Sequence, residues 1–354
     1  RPVAGLAAEA VALIEKVMAR SPQHPQASHL YIHLQELPEP EKAEAAADRL
    51  RDTGPAALGH LVHMPSHIYY RIGRYADSLA ANRAAVAADE AYLARASDDA
   101  MVRFGYYPHN VHFLLTSAQM MGDVGTVMSQ TARLQSILDV ETGRELPWVQ
   151  AIYAAPYFAQ AQYGSSAAVL ALTGKTHPLE YVDAMRRYAR AVAYADQRDE
   201  AGFASEMAVL ERLAGSEGVT GMEAAGFPAP LIVRLSAEVA EGRMALSQGR
   251  SDEAIAHFTK AAEMQKAIPY MEPPFWYYPV SQSLGAAYYQ AARYEDARQA
   301  FRAALFEAPN NALALYGLAQ TERKLGHKPE AAAAEAAFDK VWAGNDDWLD
   351  MKRI

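Results

Sequence analysis

The strongest hydrophobic patterning lies in the last third of the chain, in SLGAAYYQAARYEDARQAFRAALFEAPNNALALYGLAQTERKLGHKPEAAAAEAAF. Small and aromatic residues (Gly285, Tyr288, Tyr294, Ala297, Phe301 and Ala304) recur there before Pro309 closes the run. That spacing predicts two units, each a helix, a turn and a second helix packed back on the first. Ala297 and Ala331 lie 34 residues apart, as do Ala304 and Phe338, so the pair repeats. An earlier copy, EGRMALSQGRSDEAIAHFTKAAE, places Gly242, Ala245, Gly249, Ala254, Phe258 and Ala261 at the same internal spacings.

Further toward the N-terminus the copies loosen. RIGRYADSLAANRAAVAAD supplies Gly73, Tyr75 and Ala85, SAQMMGDVGTVMSQTARL supplies Gly122 at the same turn, and weaker units surround Gly164 and Gln197. On these residues the chain resembles the tetratricopeptide repeat (TPR) family over nearly its whole length, with about seven units. The resemblance implies an all-α fold, a right-handed α-solenoid whose stacked helix pairs share one core and curve around a concave face. It implies one solenoid over 1–354, with His-rich repeats at 24–135, degenerate repeats at 136–230 and regular ones at 231–354. Irregular backbone is expected at 174–180, 214–230 and 266–276. The last, KAIPYMEPPFW, has three prolines among its aromatics and is expected to form a rigid bend over apolar surface, a docking site for a proline-rich or aromatic partner being the other reading.

Composition narrows the partners. The net charge is −9, with basic and acidic residues interleaved, so no basic stripe points to nucleic acid. No apolar run reaches the roughly 18 residues of a membrane span. Cysteine is absent, which excludes disulfides, thiolate nucleophiles and cysteine zinc sites. The sequence opens at Arg1 within a helical pattern, so upstream sequence is expected, which leaves a signal peptide open.

The histidines change the picture most. Eight of eleven fall between His24 and His112. His60 and His63 precede Gly73 by thirteen and ten residues, and His109 and His112 precede Gly122 by the same intervals. Neighbouring repeats therefore project imidazoles from matching places, within roughly 10 Å when helices stack. His67 extends the His60 stripe by one turn, and His29, His33 and Glu36 form another at spacings of four and three, which put side chains on one helix face. A lone histidine in such a fold is ordinarily a satisfied core or surface residue. Seven recurring in phase would each leave a costly unpaired nitrogen if buried without a partner. The candidate metal ligands are His29, His33, Glu36, His60, His63, His67, His109 and His112.

An imidazole-dominated set suits copper first, then zinc or iron, rather than calcium or magnesium. It exceeds one tetrahedral site, so either two ions sit together or one ion is held by three residues and oriented by the rest. Two facing three-histidine copper centres would serve redox chemistry and two zinc ions hydrolysis, with an oxidoreductase ahead of a hydrolase. Tyr31, Met64, Tyr70, Arg71, Tyr107 and Asn110 are candidates for supporting the ligands or meeting a substrate. Tyr69 and Tyr106 also bracket the stripes, and Met120 and Met121 are further thioethers, more ordinarily packing. Pro65, inside the His60 stripe, predicts a break or kink. Pro108 predicts a helix start that puts His109 and His112 in a first turn. GSSAAVLALTGK at 164–175 lacks phosphate-loop spacing and reads as a turn plus helix.

The strings HLYIH, GHLVHMPSHIYYRIGRY and HNVHFLL also resemble a His-rich bacterial TPR group, over residues 24 to 343. That resemblance implies an exported, periplasmic setting and further upstream repeats, and it attaches no reaction. Three functions stay open: a metalloenzyme, a metal storage or carrier protein, and a metal-free scaffold gripping a peptide or protein partner. Arg71, Arg74, Arg103 and Asn110 are the residues available for that grip.

Overall fold

The computed structural model describes residues 5–171 and 176–354, and every regular element among them is helical. The chain divides into two compact units, residues 1–118 and 119–354. Each is built from antiparallel helices packed on their sequence neighbours, so the protein is an all-α helical-repeat protein.

Unit one contains α1 (Leu6–Arg20), α2 (Pro25–Gln35), α3 (Glu44–Thr53), α4 (Gly59–His63), α5 (Pro65–Arg71), α6 (Tyr75–Leu93) and most of α7 (Tyr107–Met121). His24 starts α2 by accepting a hydrogen bond from the Ala27 N–H at 3.3 Å, with Pro25 at the first helical position, where its missing N–H costs nothing. The core joins Tyr31 and Ile32 of α2, Ala46, Ala47 and Leu50 of α3, and Met64, Ile68 and Tyr69 around the start of α5. The expected break at Pro65 is present: α4 ends at His63 and α5 begins at Pro65, with Met64 between them.

Pro108 does lie in the first turn of α7, but this helix is not a fresh start. Residues Val102–Tyr106 form a π-turn that runs straight into it, and the Tyr107 N–H donates to the Val102 carbonyl. A π-turn inserts a residue into the helical ladder, an interruption often found beside functional sites.

Unit two continues with α8 (Val124–Ile137), α9 (Val140–Glu145), α10 (Val149–Tyr163), α11 (Ser166–Leu170), α12 (Glu180–Gln197), α13 (Glu200–Ala214), α14 (Glu217–Thr220) and α15 (Ala229–Ser247). The regular pairs close it: α15 with α16 (Ser251–Gln265), α17 (Val280–Gln290) with α18 (Tyr294–Glu307), and α19 (Ala312–Leu325) with α20 (Lys328–Val341). Tyr294 and Lys328, which open the second helices of the last two pairs, are 34 residues apart, so the sequence period is the structural period.

Packing explains the small-against-aromatic pattern. A methyl group on Gly317 would lie 2.3 Å from the Phe301 ring, and one on Gly242 would lie 2.7 Å from Phe258. The aromatic ring of one helix occupies the space the neighbouring glycine leaves empty. Backbone at 176–179 and over most of 266–279 is irregular, while 172–175 lie outside the described residues. The stretch 214–230 is more ordered than expected, since it holds α14 and a 3-10 turn at Gly221–Ala225. Trp276 and Tyr277 from the proline-rich segment are buried against Phe158 at ring separations of 5.2 and 4.8 Å, so this segment covers apolar surface of its own unit.

Candidate metal centre

Six histidines of unit one meet, and they do so as two groups of three. In the inner group, His63 and His67 are buried and His109 is half-buried. In the outer group, His29 and His60 are half-buried and His33 is exposed. Within each group one ring nitrogen per residue lies within 4.8 Å of the others. The groups adjoin: ring centroids are 6.4 Å apart between His60 and His63, and 5.6 Å between His33 and His67. These rings come from α2, from the broken α4 and α5, and from α7.

The hydrogen bonds assign the protons of the inner group. Asn82, on α6 and fully buried, donates its Nδ2 to the Ser78 carbonyl at 2.8 Å, so its Oδ1 is the atom that faces His63. That oxygen only accepts, so at 2.6 Å His63 carries its proton on Nδ1. The Ser66 hydroxyl lies 3.1 Å from the same nitrogen. On the other ring, His67 Nδ1 lies 3.0 Å from Glu36 Oε2, and a carboxylate likewise accepts. With the His63 Nδ1 proton committed to Asn82 and the His67 Nδ1 turned to Glu36, the two Nε2 atoms face each other at 2.9 Å, as lone pairs when His67 carries its proton on Nδ1. Bare lone pairs repel at that distance, so the arrangement calls for a cation between them.

Burial works against that cation being a proton. Desolvation pushes His63 and His109 well below the ordinary histidine range, and the neighbouring imidazoles, His67 foremost, add to it. His60 is lowered to about 4 by burial and then by His29, and His29 is lowered for the same kind of reason. At neutral pH His29, His60, His63 and His109 are uncharged ligands. A metal–nitrogen bond of about 2.0–2.1 Å places two nitrogens about 2.9 Å apart at a right angle and about 3.3 Å apart in a tetrahedron. The inner 2.9 Å pair and the outer His29 to His60 pair, at 3.2 Å between Nε2 atoms, both fall at that separation.

Glu36 lies at the junction. Its Oε2 is 3.0 Å from His67 and 3.6 Å from His33, so one carboxylate touches both groups. Burial would raise its pKa, but the neighbouring His33 and His67 overcome this and hold it at about 2. The Arg71 guanidinium donates to the Glu36 backbone carbonyl at 3.1 Å and fixes the end of α2 there. Tyr106, the last residue of the π-turn, stacks on His60 at 4.6 Å.

His112 joins neither group. It is buried, and desolvation lowers its pKa to about 3. Equal phase with the turns would set His109 opposite His60 and His112 opposite His63. Instead His109 sits 4.8 Å from His63, about one turn out of that register. The break at Pro65 lies between His63 and the turn at Gly73 and moves His60 and His63 out of that register.

The other expected residues have separate roles. Met64 is wholly buried in the core, and the Tyr31 hydroxyl donates to Glu15 at 2.9 Å. The Tyr107 hydroxyl donates to Glu90 at 2.8 Å, and Asn110 donates to Asp89 at 2.7 Å. The Tyr70 ring packs on Tyr75 and Phe113. Met120 and Met121 belong to unit two. Sequence reasoning missed Asn82, Ser66 and Phe113, whose ring packs on His63, His67 and His109 at 4.8–5.1 Å. The signal for Asn82 was present, since Ser78, Asn82 and Asp89 interrupt an alanine-rich buried face of α6.

No known protein family and no curated protein matches this chain. Among solved structures it is similar to the crystal structure of the APC/C hetero-tetramer Cut9-Hcn1, with 14% sequence identity over 95% of this chain and 87% of that chain and a TM-score of 0.25. The helical-repeat assignment rests on the helix pairs themselves.

Proposed function

We propose that unit one is a transition-metal centre that holds up to about two ions, one per three-histidine group, with copper the preferred metal and zinc or iron after it. The single observation that carries this reading is the pair of facing Nε2 atoms of His63 and His67, with His63 locked through Nδ1 by Asn82 and His67 Nδ1 set against Glu36. Locking the distal nitrogen of a histidine ligand is how proteins fix its tautomer and direction. Three protein nitrogens leave a coordination position open, the arrangement of catalytic rather than structural sites. The outer group meets solvent at His33 and offers access for a small reactant. A redox reaction at paired ions is the reading these two groups favour.

Glu36 supports a hydrolytic alternative, because a carboxylate held ionised beside both groups can take a proton from an activated water. Peptide capture by the nearby arginines has less support. Arg74 is already engaged by Asp77, Glu44 and Asp48 at 2.7–3.0 Å, and Arg71 is turned to the Glu36 carbonyl.

Elemental analysis of purified, metal-loaded protein tests the proposal. Wild type and His112→Ala should retain metal through dialysis, and His63→Ala should lose the inner ion. Equal metal in wild type and His63→Ala would eliminate the site, and no metal in wild type would leave a binding scaffold.

A further inference from the structure

A cavity of about 540 Å³ in unit two is lined by four cations, Arg198, Arg243, Lys352 and Arg353, and by two carboxylates, Asp196 and Asp350. Elsewhere in this unit arginines are typically neutralised: Arg187 and Arg190 by Glu206 at 3.0 and 2.7 Å, Arg186 by Asp183 at 2.8 Å, Arg302 by Glu322 at 3.1 Å. Among the described residues, none of the four cavity cations forms an ion pair. Four cations around one cavity that holds only two carboxylates favour an anion there.

The two half-buried arginines are also held in place. The Arg353 guanidinium lies 4.4 Å from the centre of the Trp348 ring, which fixes its plane and leaves its N–H edge for a ligand. Arg243 donates to the Lys352 carbonyl at 3.3 Å, tying the C-terminal segment to α15. Ser251, at the first turn of the 15-residue helix α16, and Ser166 add hydroxyls to the same lining.

We propose that this cavity binds a small phosphate monoester through its dianionic phosphate, gripped by Arg243 and Arg353, with Arg198 and Lys352 completing the positive field. Four cations against two carboxylates leave a surplus of two charges, which a dianion balances. A planar guanidinium fork matches the paired oxygens of a phosphate. The volume exceeds that of phosphate alone and lies within the range of ordinary small-molecule pockets, so the ester's organic part fits beside it. Asp196 is exposed at this cavity and opposes the anion.

The test is calorimetric titration of the full chain with glycerol 3-phosphate and with inorganic phosphate, against chloride at matched ionic strength. The expected result is one saturable site for both, weakened about tenfold or more in Arg243→Ala/Arg353→Ala, and tightened in Asp196→Asn, with unchanged circular dichroism as the folding control. Absence of saturable binding in wild type, or equal affinity in wild type and the double arginine variant, would overturn the proposal. Because none of these residues belongs to the histidine centre, phosphate binding that survives the arginine changes would also place the anion elsewhere.

Discussion

The two units treat histidine in opposite ways. In unit two each one is satisfied by an ordinary protein group: the Leu179 N–H donates to His177 Nδ1 at 3.1 Å, while His257 and His327 meet Glu238 and Glu322 at 2.8 Å. In unit one six rings turn toward one another, and in the inner group His63 Nδ1 is held by Asn82 while His67 Nδ1 faces Glu36, so that the Nε2 atoms of these two rings point at each other. The difference teaches that the histidines of unit one are not surplus polar residues tolerated in a core. Helices that can satisfy an imidazole with a carboxylate or an amide do so in the same chain, so six rings left facing each other answer to something other than packing.

The largest expected effect breaks that contrast outright. Replacing His63 and His67 together by alanine should abolish retention of the inner ion, whereas His257→Ala should leave metal content unchanged, both read by elemental analysis. Next comes the proton lock. Asn82→Leu keeps every ligand but frees the His63 Nδ1, and should weaken metal affinity about 10–100-fold in a competition titration with a chromogenic chelator.

The converse test lies in unit two. Gly317→Ala forces a methyl against the Phe301 ring and should cost about 1–3 kcal/mol in chemical unfolding while metal content stays at the wild-type value.

A pH dependence follows from the lowered histidine values. Below the unfolded value of 6.5, the unfolded chain binds protons that the folded protein refuses until about pH 4 at His60 and about pH 3 at His112. Stability of metal-free protein should therefore be full above pH 6.5 and fall on acidification through that window. His112→Asn should flatten the fall in a series of thermal melts. Glu36, ionised down to about pH 2 when folded, keeps its own contribution over most of that window. The smallest effect belongs to Tyr106→Ala, which removes the stack on His60 and should cost about 0.5–1.5 kcal/mol of stability.

The fold was legible because its rule is local. Gly242, Gly285 and Gly317 face phenylalanines at spacings the sequence displays, and Gly73, Gly122, Gly249 and Gly326 mark turns by adopting a positive φ that other residues avoid. The site was legible only as a population of residues. Which histidines share a group depends on axial offset between helices, and the break at Pro65 moves that offset, so His109 joined His63 and His112 was left out. Asn82 escaped notice because its role exists only once α6 folds back on α4. The cations of the unit-two cavity lie far apart in sequence and leave no local signature.

The most direct measurement is a crystal structure of copper- or zinc-loaded protein with anomalous data collected at the metal edge. The account predicts a peak within bonding distance of the Nε2 atoms of His63 and His67, with His109 as third ligand. A map without a peak at those nitrogens, or one with metal bound only at His112 or at the isolated histidines of unit two, would contradict it.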